Sequence, residues 1–159
     1  MKDREFMARA LGVVLIFAGA GPLIGGFVFG LLWIVEVLTS PSEPWRAAYL
    51  TTPIYAALLG YLAGFLPAVT TGVGAALTSP RLRAGRLWVA VAVLLGATTS
   101  AVNLVFLNTG YPTSRPDGAD VAGIMLIGAI SSLACALLAE PLRPRPRPRR
   151  NGPASPSLP

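Results

Sequence analysis

The chain has 159 residues, of which 53% are hydrophobic and only 13% are charged, a composition too apolar and too charge-poor for an ordinary soluble domain. The formal net charge is +6, yet the basic residues cluster at segment ends and do not alternate with aromatic residues. This arrangement argues against nucleic-acid binding. We expect a lipid bilayer, and no nucleic acid, as the partner.

Few side chains are available for chemistry, because histidine is absent and cysteine occurs once, as Cys135. An internal disulfide, histidine-ligated haem or zinc, and a serine–histidine triad are therefore excluded. The glycine clusters lie within apolar runs and not in a phosphate-binding loop, and the loop pair Asp117 and Asp120 is only weak evidence for a metal. We expect neither an enzyme nor a cofactor or metal.

The first apolar run extends from Leu11 to Leu38 after a short charged opening. The small residues at 18–20 resemble a signal-peptide cleavage site, but apolar character continues for another eighteen residues. Signal sequences have an apolar region of roughly 7–15 residues, so we expect an uncleaved transmembrane helix. Glu36, the only acidic residue inside an apolar run, lies close to its far end.

Three further apolar runs follow over 49–77, 87–107 and 121–139, separated by segments rich in Pro, Gly, Asn and charge. From Glu140 onwards, alternating Arg and Pro prevent a helix, and charge repulsion favours an extended chain. The sequence predicts an all-α integral membrane protein. Residues 1–139 form four transmembrane helices in an antiparallel bundle, with spans at about 11–38, 49–77, 87–107 and 121–139, and residues 140–159 form a disordered Arg/Pro-rich tail.

Basic residues predict the orientation of these spans. Eleven lie in the N-terminal segment, the middle loop and the tail, against only Arg46 and Arg115 on the other side, which places both termini in the cytoplasm. Arginine outnumbers lysine twelve to one, a bias that we ascribe to a bacterial genome and hence to an inner membrane. We expect the tail to attract anionic headgroups at about 1 kcal/mol per arginine, through Arg143, Arg145, Arg147, Arg149 and Arg150.

Small residues recur at every fourth position of the second run, where they form a groove along one helix face. They are Ala56, Gly60, Gly64, Ala68, Gly72 and Ala76. The first run carries a matching series of Ala18, Pro22, Gly26 and Gly30, and the fourth a weaker one of Gly128, Ser132 and Ala136. We expect the first two grooves to pack antiparallel through close van der Waals contact, or to serve a homodimer.

Pro22 and Pro67 fall at the same predicted depth and should kink their helices, each leaving a carbonyl four residues earlier without its helical donor. Thr70 or Thr71 is placed to donate locally. Two interpretations of the polar residues near this depth remain open. Either they enclose a polar site or path, or they bond to helix carbonyls and serve only helix packing. The candidates are Glu36, Thr70, Thr71, Thr99, Asn103 and Ser132, of which Asn103 is expected to bond between helices.

These observations favour a structural or accessory membrane component that acts through helix packing, as part of a homo-oligomer or a larger membrane complex. The alternative is a small oligomeric transporter or channel with a polar site at mid-membrane. A membrane enzyme ranks third, since no nucleophile and base pair can be named.

Overall fold

A computed structural model describes residues 2–39, 52–82, 84–108 and 116–143 of the chain. Within these ranges every regular element is a helix, which confirms the predicted all-helical class. The elements are α1 Lys2–Thr39, α2 Thr52–Thr78, α3 Gly85–Asn108 and α4 Gly118–Ala139, followed by a 3-10 helix, Glu140–Leu142.

Three stretches of helix are long and apolar enough to cross a membrane: Arg4–Leu32, Gly85–Phe106 and Gly118–Leu142. In α2, the apolar stretch with described side chains is the shorter Ala63–Thr78. Many large apolar side chains on the helices point outward; Leu15, for example, is 61% exposed and Leu94 is 65% exposed. Outward-facing leucines on helices of this length match a lipid environment and not water.

The helices begin at different residues from those that the apolar runs suggest. α1 starts nine residues before Leu11. The charged segment with Arg4 and Arg9 is exposed, so it extends the helix without burying a charged side chain. At the start of α4, the Asp117 carboxylate accepts hydrogen bonds from the backbone of Ala119 and Asp120, both at 2.8 Å. The Asp120 carboxylate accepts one from the Asp117 backbone at 3.1 Å, which completes a capping box.

The contacts between α1 and α2 run in opposite directions along the two helices. Gly72 faces Phe17, and a Cβ added at Gly72 would lie 2.9 Å from the Phe17 Cβ. Further along, Gly21 faces Ala68, and Gly64 faces Pro22. The absence of side chains at these glycines allows the two backbones to approach closely, as in small-residue packing of membrane helices.

The contact between α3 and α4 is closer still and is centred on Gly96 and Gly128. A Cβ at Gly96 would lie 2.8 Å from the Gly128 carbonyl oxygen, and one at Gly128 would lie 2.6 Å from the Gly96 carbonyl oxygen. Each position is also covered by a serine of the opposite helix, Ser132 over Gly96 and Ser100 over Gly128. The small-residue series of α4 thus has a partner series in α3 that the sequence analysis did not single out.

The fully buried core lies at one end of the helices, where α1 and α3 begin and α2 and α4 end. Its centre is Trp88, which is 0% exposed and donates from Nε1 to the carbonyl oxygen of Ala75 at 2.8 Å. The remaining members are small or apolar: Val13, Phe17, Ala75, Ala76, Ala92, Cys135, Ala136 and Ala139.

The chain remains ordered beyond the predicted end of the membrane domain. Leu142 packs against Gly12, and Arg143 is only 9% exposed. The guanidinium of Arg143 donates to the Leu82 carbonyl oxygen, and its carbon lies 5.6 Å from the centroid of a Trp88 ring. The prediction of disorder from Glu140 therefore needs correction for 140–143, because a carbonyl and an aromatic face together hold the Arg143 cation. The rest of the predicted tail, 144–159, lies outside the described residues.

The Gly96–Gly128 contact predicts that Gly96→Ala lowers the thermal unfolding midpoint in detergent by several degrees. The added methyl would overlap Ser132 and the Gly128 carbonyl oxygen, and overpacking of this kind costs about 1–3 kcal/mol. Gly123→Ala is the matched control, since a Cβ at Gly123 meets nothing within 4 Å, and it should leave the midpoint unchanged or raise it. Equal midpoints for the two variants would contradict the close contact.

Candidate polar site between α2 and α3

Pro67 lies inside α2 and has no backbone N–H, so the carbonyl oxygen of Ala63 has no helical donor. Asn103 of α3 donates to that oxygen from Nδ2 at 3.2 Å. In lipid an unpaired carbonyl costs several kcal/mol, since no water is present to replace the lost donor. The Asn103 amide therefore joins α2 to α3 at the point where α2 lacks a hydrogen bond of its own.

A pair of hydroxyl groups joins the same two helices, two turns along α2 from Ala63. Thr71 is 1% exposed, and its Oγ1 lies 2.8 Å from the Oγ1 of Thr99. Thr71 Oγ1 also lies 2.7 Å from the Pro67 carbonyl oxygen, and Thr99 Oγ1 lies 2.8 Å from the Leu95 carbonyl oxygen. Two hydroxyl protons cannot make three hydrogen bonds at once, so one threonine donates to a backbone carbonyl and the other donates across the helix boundary.

Together with the Trp88 bond to Ala75, these contacts form what we call the polar interface of α2 and α3. Its residues on α2 are Ala63, Thr71 and Ala75, and on α3 they are Trp88, Thr99 and Asn103. Ala63, Thr71 and Ala75 are separated by multiples of four residues, so they lie along one face of α2. This shared face is the side of α2 on which the three groups meet α3.

The structure brings together only some of the predicted polar-site residues. Thr71, Thr99 and Asn103 belong to the polar interface, whereas Thr70 is exposed and donates to the carbonyl oxygens of Leu66 and Pro67 in its own helix. Neither Thr70 nor Thr71 bonds to the Ala63 carbonyl that Pro67 leaves free, so the suggested local donor is wrong for this carbonyl. A threonine hydroxyl in a helix reaches the carbonyl three or four residues before it. For Thr70 and Thr71 these carbonyls all lie C-terminal to Ala63.

The two remaining polar candidates lie elsewhere. Ser132 is buried against Gly96 in the contact between α3 and α4. Glu36 lies in α1, but its side chain is outside the described residues.

The two predicted kink residues of α1 and α2 lie at one level, and the predicted packing residues are spread along both helices. Gly64 contacts Pro22, and the neighbouring contact joins Gly21 to Ala68, which places Pro22 and Pro67 at the same height in the hairpin. Gly72 packs on Phe17, as described above, and two of the predicted α1 positions, Gly26 and Gly30, are buried. Gly60 lies in α2, but its surroundings are outside the described residues.

Sequence reasoning missed two members of the polar interface, the Ala63 carbonyl and Trp88. Counting four residues back from Pro67 points to Ala63, and Asn103 was the most polar candidate on another helix, so a signal for this pair was present. For Trp88 the apolar pattern gives no signal, because this tryptophan is the second residue of its apolar run and nothing in the run marks it as part of a core.

Chemically, the arrangement provides hydroxyl and amide groups that bond to backbone carbonyls and to each other. Within the described part of the chain, no group of three or more Cys, Asp or Glu side chains is placed to hold a metal ion. The geometry therefore supports helix association more directly than it supports ligand binding.

No protein-family model, curated protein or solved structure matches the sequence. The class of protein rests on the chain itself: all of its regular elements in the described ranges are helices, and three of them are long and apolar enough to cross a membrane. These are the features of a helical membrane protein.

The hydroxyl pair predicts a measurable coupling between Thr71 and Thr99. Thr71→Val and Thr99→Val each keep the side-chain shape and remove the shared hydrogen bond, so the double variant should be less destabilised than the sum of the single variants. We expect a coupling of about 0.6 kcal/mol in a double-mutant cycle of unfolding in detergent, typical of hydrogen bonds between membrane helices. Thr98→Val is the control, because Thr98 is exposed and its hydroxyl bonds only within α3. Strict additivity of the Thr71 and Thr99 variants would contradict the pairing.

Proposed function

We propose that the protein is a four-span component of a bacterial inner membrane that acts through helix packing, as a structural or accessory subunit of a larger membrane assembly or homo-oligomer. No catalytic step is part of this proposal. The observation that supports it is that polar side chains inside the helices bond to other groups of the protein. Thr71, Thr99 and Asn103 bond between or within helices, so these groups are engaged in association and not presented to a substrate.

The fourth crossing in this proposal is α2. With 27 residues, this helix is about 40 Å long, which exceeds the roughly 30 Å of a hydrocarbon core. Its antiparallel register against α1 also supports a crossing, since it contacts α1 from Gly64 to Gly72. Four crossings would put the N-terminus and the C-terminal tail on the same side of the membrane.

The proposed cytoplasmic side is the end that contains Trp88 and the buried core. Exposed basic residues lie near this end on α1 and around the α2–α3 connection, among them Arg9, Arg81 and Arg86. This distribution agrees with the positive-inside rule. In the proposal, the arginines of the tail beyond Arg143 contact anionic headgroups at the same surface. Arg143 itself is excluded from this role by its burial against Trp88.

This topology predicts the behaviour of reporter fusions. A fluorescent reporter that matures only in the cytoplasm should be active when fused after Pro159, and a phosphatase active only outside should be active when inserted into the 40–51 segment. The reciprocal pair of fusions is the control and should be inactive. Phosphatase activity after Pro159 would contradict the proposed orientation.

The accessory role is tested by purifying the protein in its native lipids and identifying stoichiometric companions by mass spectrometry. We expect a defined membrane complex, or a homo-oligomer of fixed size, and no solute flux when the protein alone is placed in liposomes. Flux that the paired variant Thr71→Val/Thr99→Val abolishes, without loss of the fold, would instead favour the small transporter or channel.

A further inference from the structure

The two prolines divide the α1–α2 hairpin at one level. Pro22 and Pro67 lie inside their helices, and the adjoining contacts of Gly21 with Ala68 and of Gly64 with Pro22 place them side by side. A proline removes one helical hydrogen bond and weakens the helix against bending. Two such positions at the same level define a line across the hairpin along which both helices bend most easily.

The part of the hairpin beyond this line, residues 23–39 of α1 and 52–66 of α2, is called here the outer arm. The fully buried core lies on the opposite side of the line, around Trp88. Among the described residues of the outer arm, Leu58, Tyr61 and Leu66 on α2 are exposed, whereas Gly26 and Gly30 on α1 are buried. Within the hairpin, the largest fully buried side chains that the structure describes, such as Phe17 and Thr71, lie on the inner side of the line.

The hydrogen bond from Asn103 to Ala63 joins the outer arm to α3. Its acceptor exists because of Pro67, four residues further along α2. The hydroxyl pair of Thr71 and Thr99 lies on the other side of Pro67 and belongs to the inner half. The polar interface thus has one contact on the outer arm and the others on the part of α2 that packs against the core.

We propose that Pro22 and Pro67 form a hinge and that Asn103 holds the outer arm of the α1–α2 hairpin against α3. When the arm moves outward, the Ala63 carbonyl and the Asn103 amide both lose a partner. In lipid both groups then require another donor or acceptor, so opening admits water or the polar group of a ligand to this depth. The proposed hinge does not depend on the accessory role, since the same movement would serve assembly with a partner or passage of a solute.

The test is a distance measurement by pulsed electron paramagnetic resonance on the full chain in lipid nanodiscs, with Cys135→Ala removing the native thiol. Spin labels at Leu58→Cys and Val102→Cys report the outer arm against α3, and labels at Leu77→Cys and Leu94→Cys report the inner half. All four positions are exposed, at 60%, 68%, 63% and 65% respectively. Each pair is measured in three proteins: the chain that retains Asn103, the variant Asn103→Leu and the double variant Asn103→Leu/Pro67→Ala.

With Asn103 present, we expect one narrow distance distribution for each pair. Asn103→Leu should add a second, longer distance for the outer pair and leave the inner pair unchanged. Pro67→Ala supplies the missing backbone N–H to Ala63, so the double variant should return to a single distance. Thr98→Val, which removes an exposed hydroxyl with bonds only inside α3, is the control and should not change either pair.

The proposal is overturned if Asn103→Leu leaves the outer pair unchanged, if Pro67→Ala does not reverse its effect, or if the inner pair changes equally. Should Asn103→Leu not fold, the smaller variant Asn103→Ala takes its place, because it also removes the amide donor and adds no side-chain volume. It must add the longer distance for the outer pair, and an unchanged distribution would then refute the hinge.

Discussion

A carbonyl group without a helical donor is the constraint on which the arrangement of α2 and α3 depends. Pro67 leaves the oxygen of Ala63 unpaired inside an apolar segment, where water cannot replace the missing N–H. The Asn103 amide donates to this oxygen and so joins α3 to α2 at this level. In the same register Thr71 lies next to Thr99, and the Trp88 indole reaches the Ala75 carbonyl.

Two physically different kinds of contact hold the helices together. Within the pairs α1–α2 and α3–α4, glycines remove side chains from the interface and allow close backbone approach, most tightly between Gly96 and Gly128. Between α2 and α3, hydrogen bonds add to a glycine contact of the same kind, that of Gly74 with Leu95. Because lipid is as apolar as a leucine side chain, burial of apolar surface contributes little to either, and both kinds of contact replace the hydrophobic effect that packs soluble proteins. The leucines accordingly face outward.

The fully buried core of the described chain lies towards one end of the helices. There Trp88 belongs to a core cluster with members from all four helices, and Arg143 lies over its ring while donating to the Leu82 carbonyl. This contact continues the ordered chain past α4 to Arg143. Towards the other end, the hydrogen bond from Asn103 to the Ala63 carbonyl links α2 to α3. Under the proposed hinge, the first end anchors the bundle and the other end moves.

The sequence by itself determined the helical class, the apolar character of the spans and the positions at which small residues or prolines interrupt them, since these depend on composition and helical period. It also placed Pro22 and Pro67 at one level by simple counting. Only the tertiary structure decided which groups meet: Asn103 with Ala63, Gly96 with Gly128, and Arg143 with Trp88. The reason is that partners across helices depend on rotation and register, which are set by all contacts together and are not contained in the periodicity of any single helix.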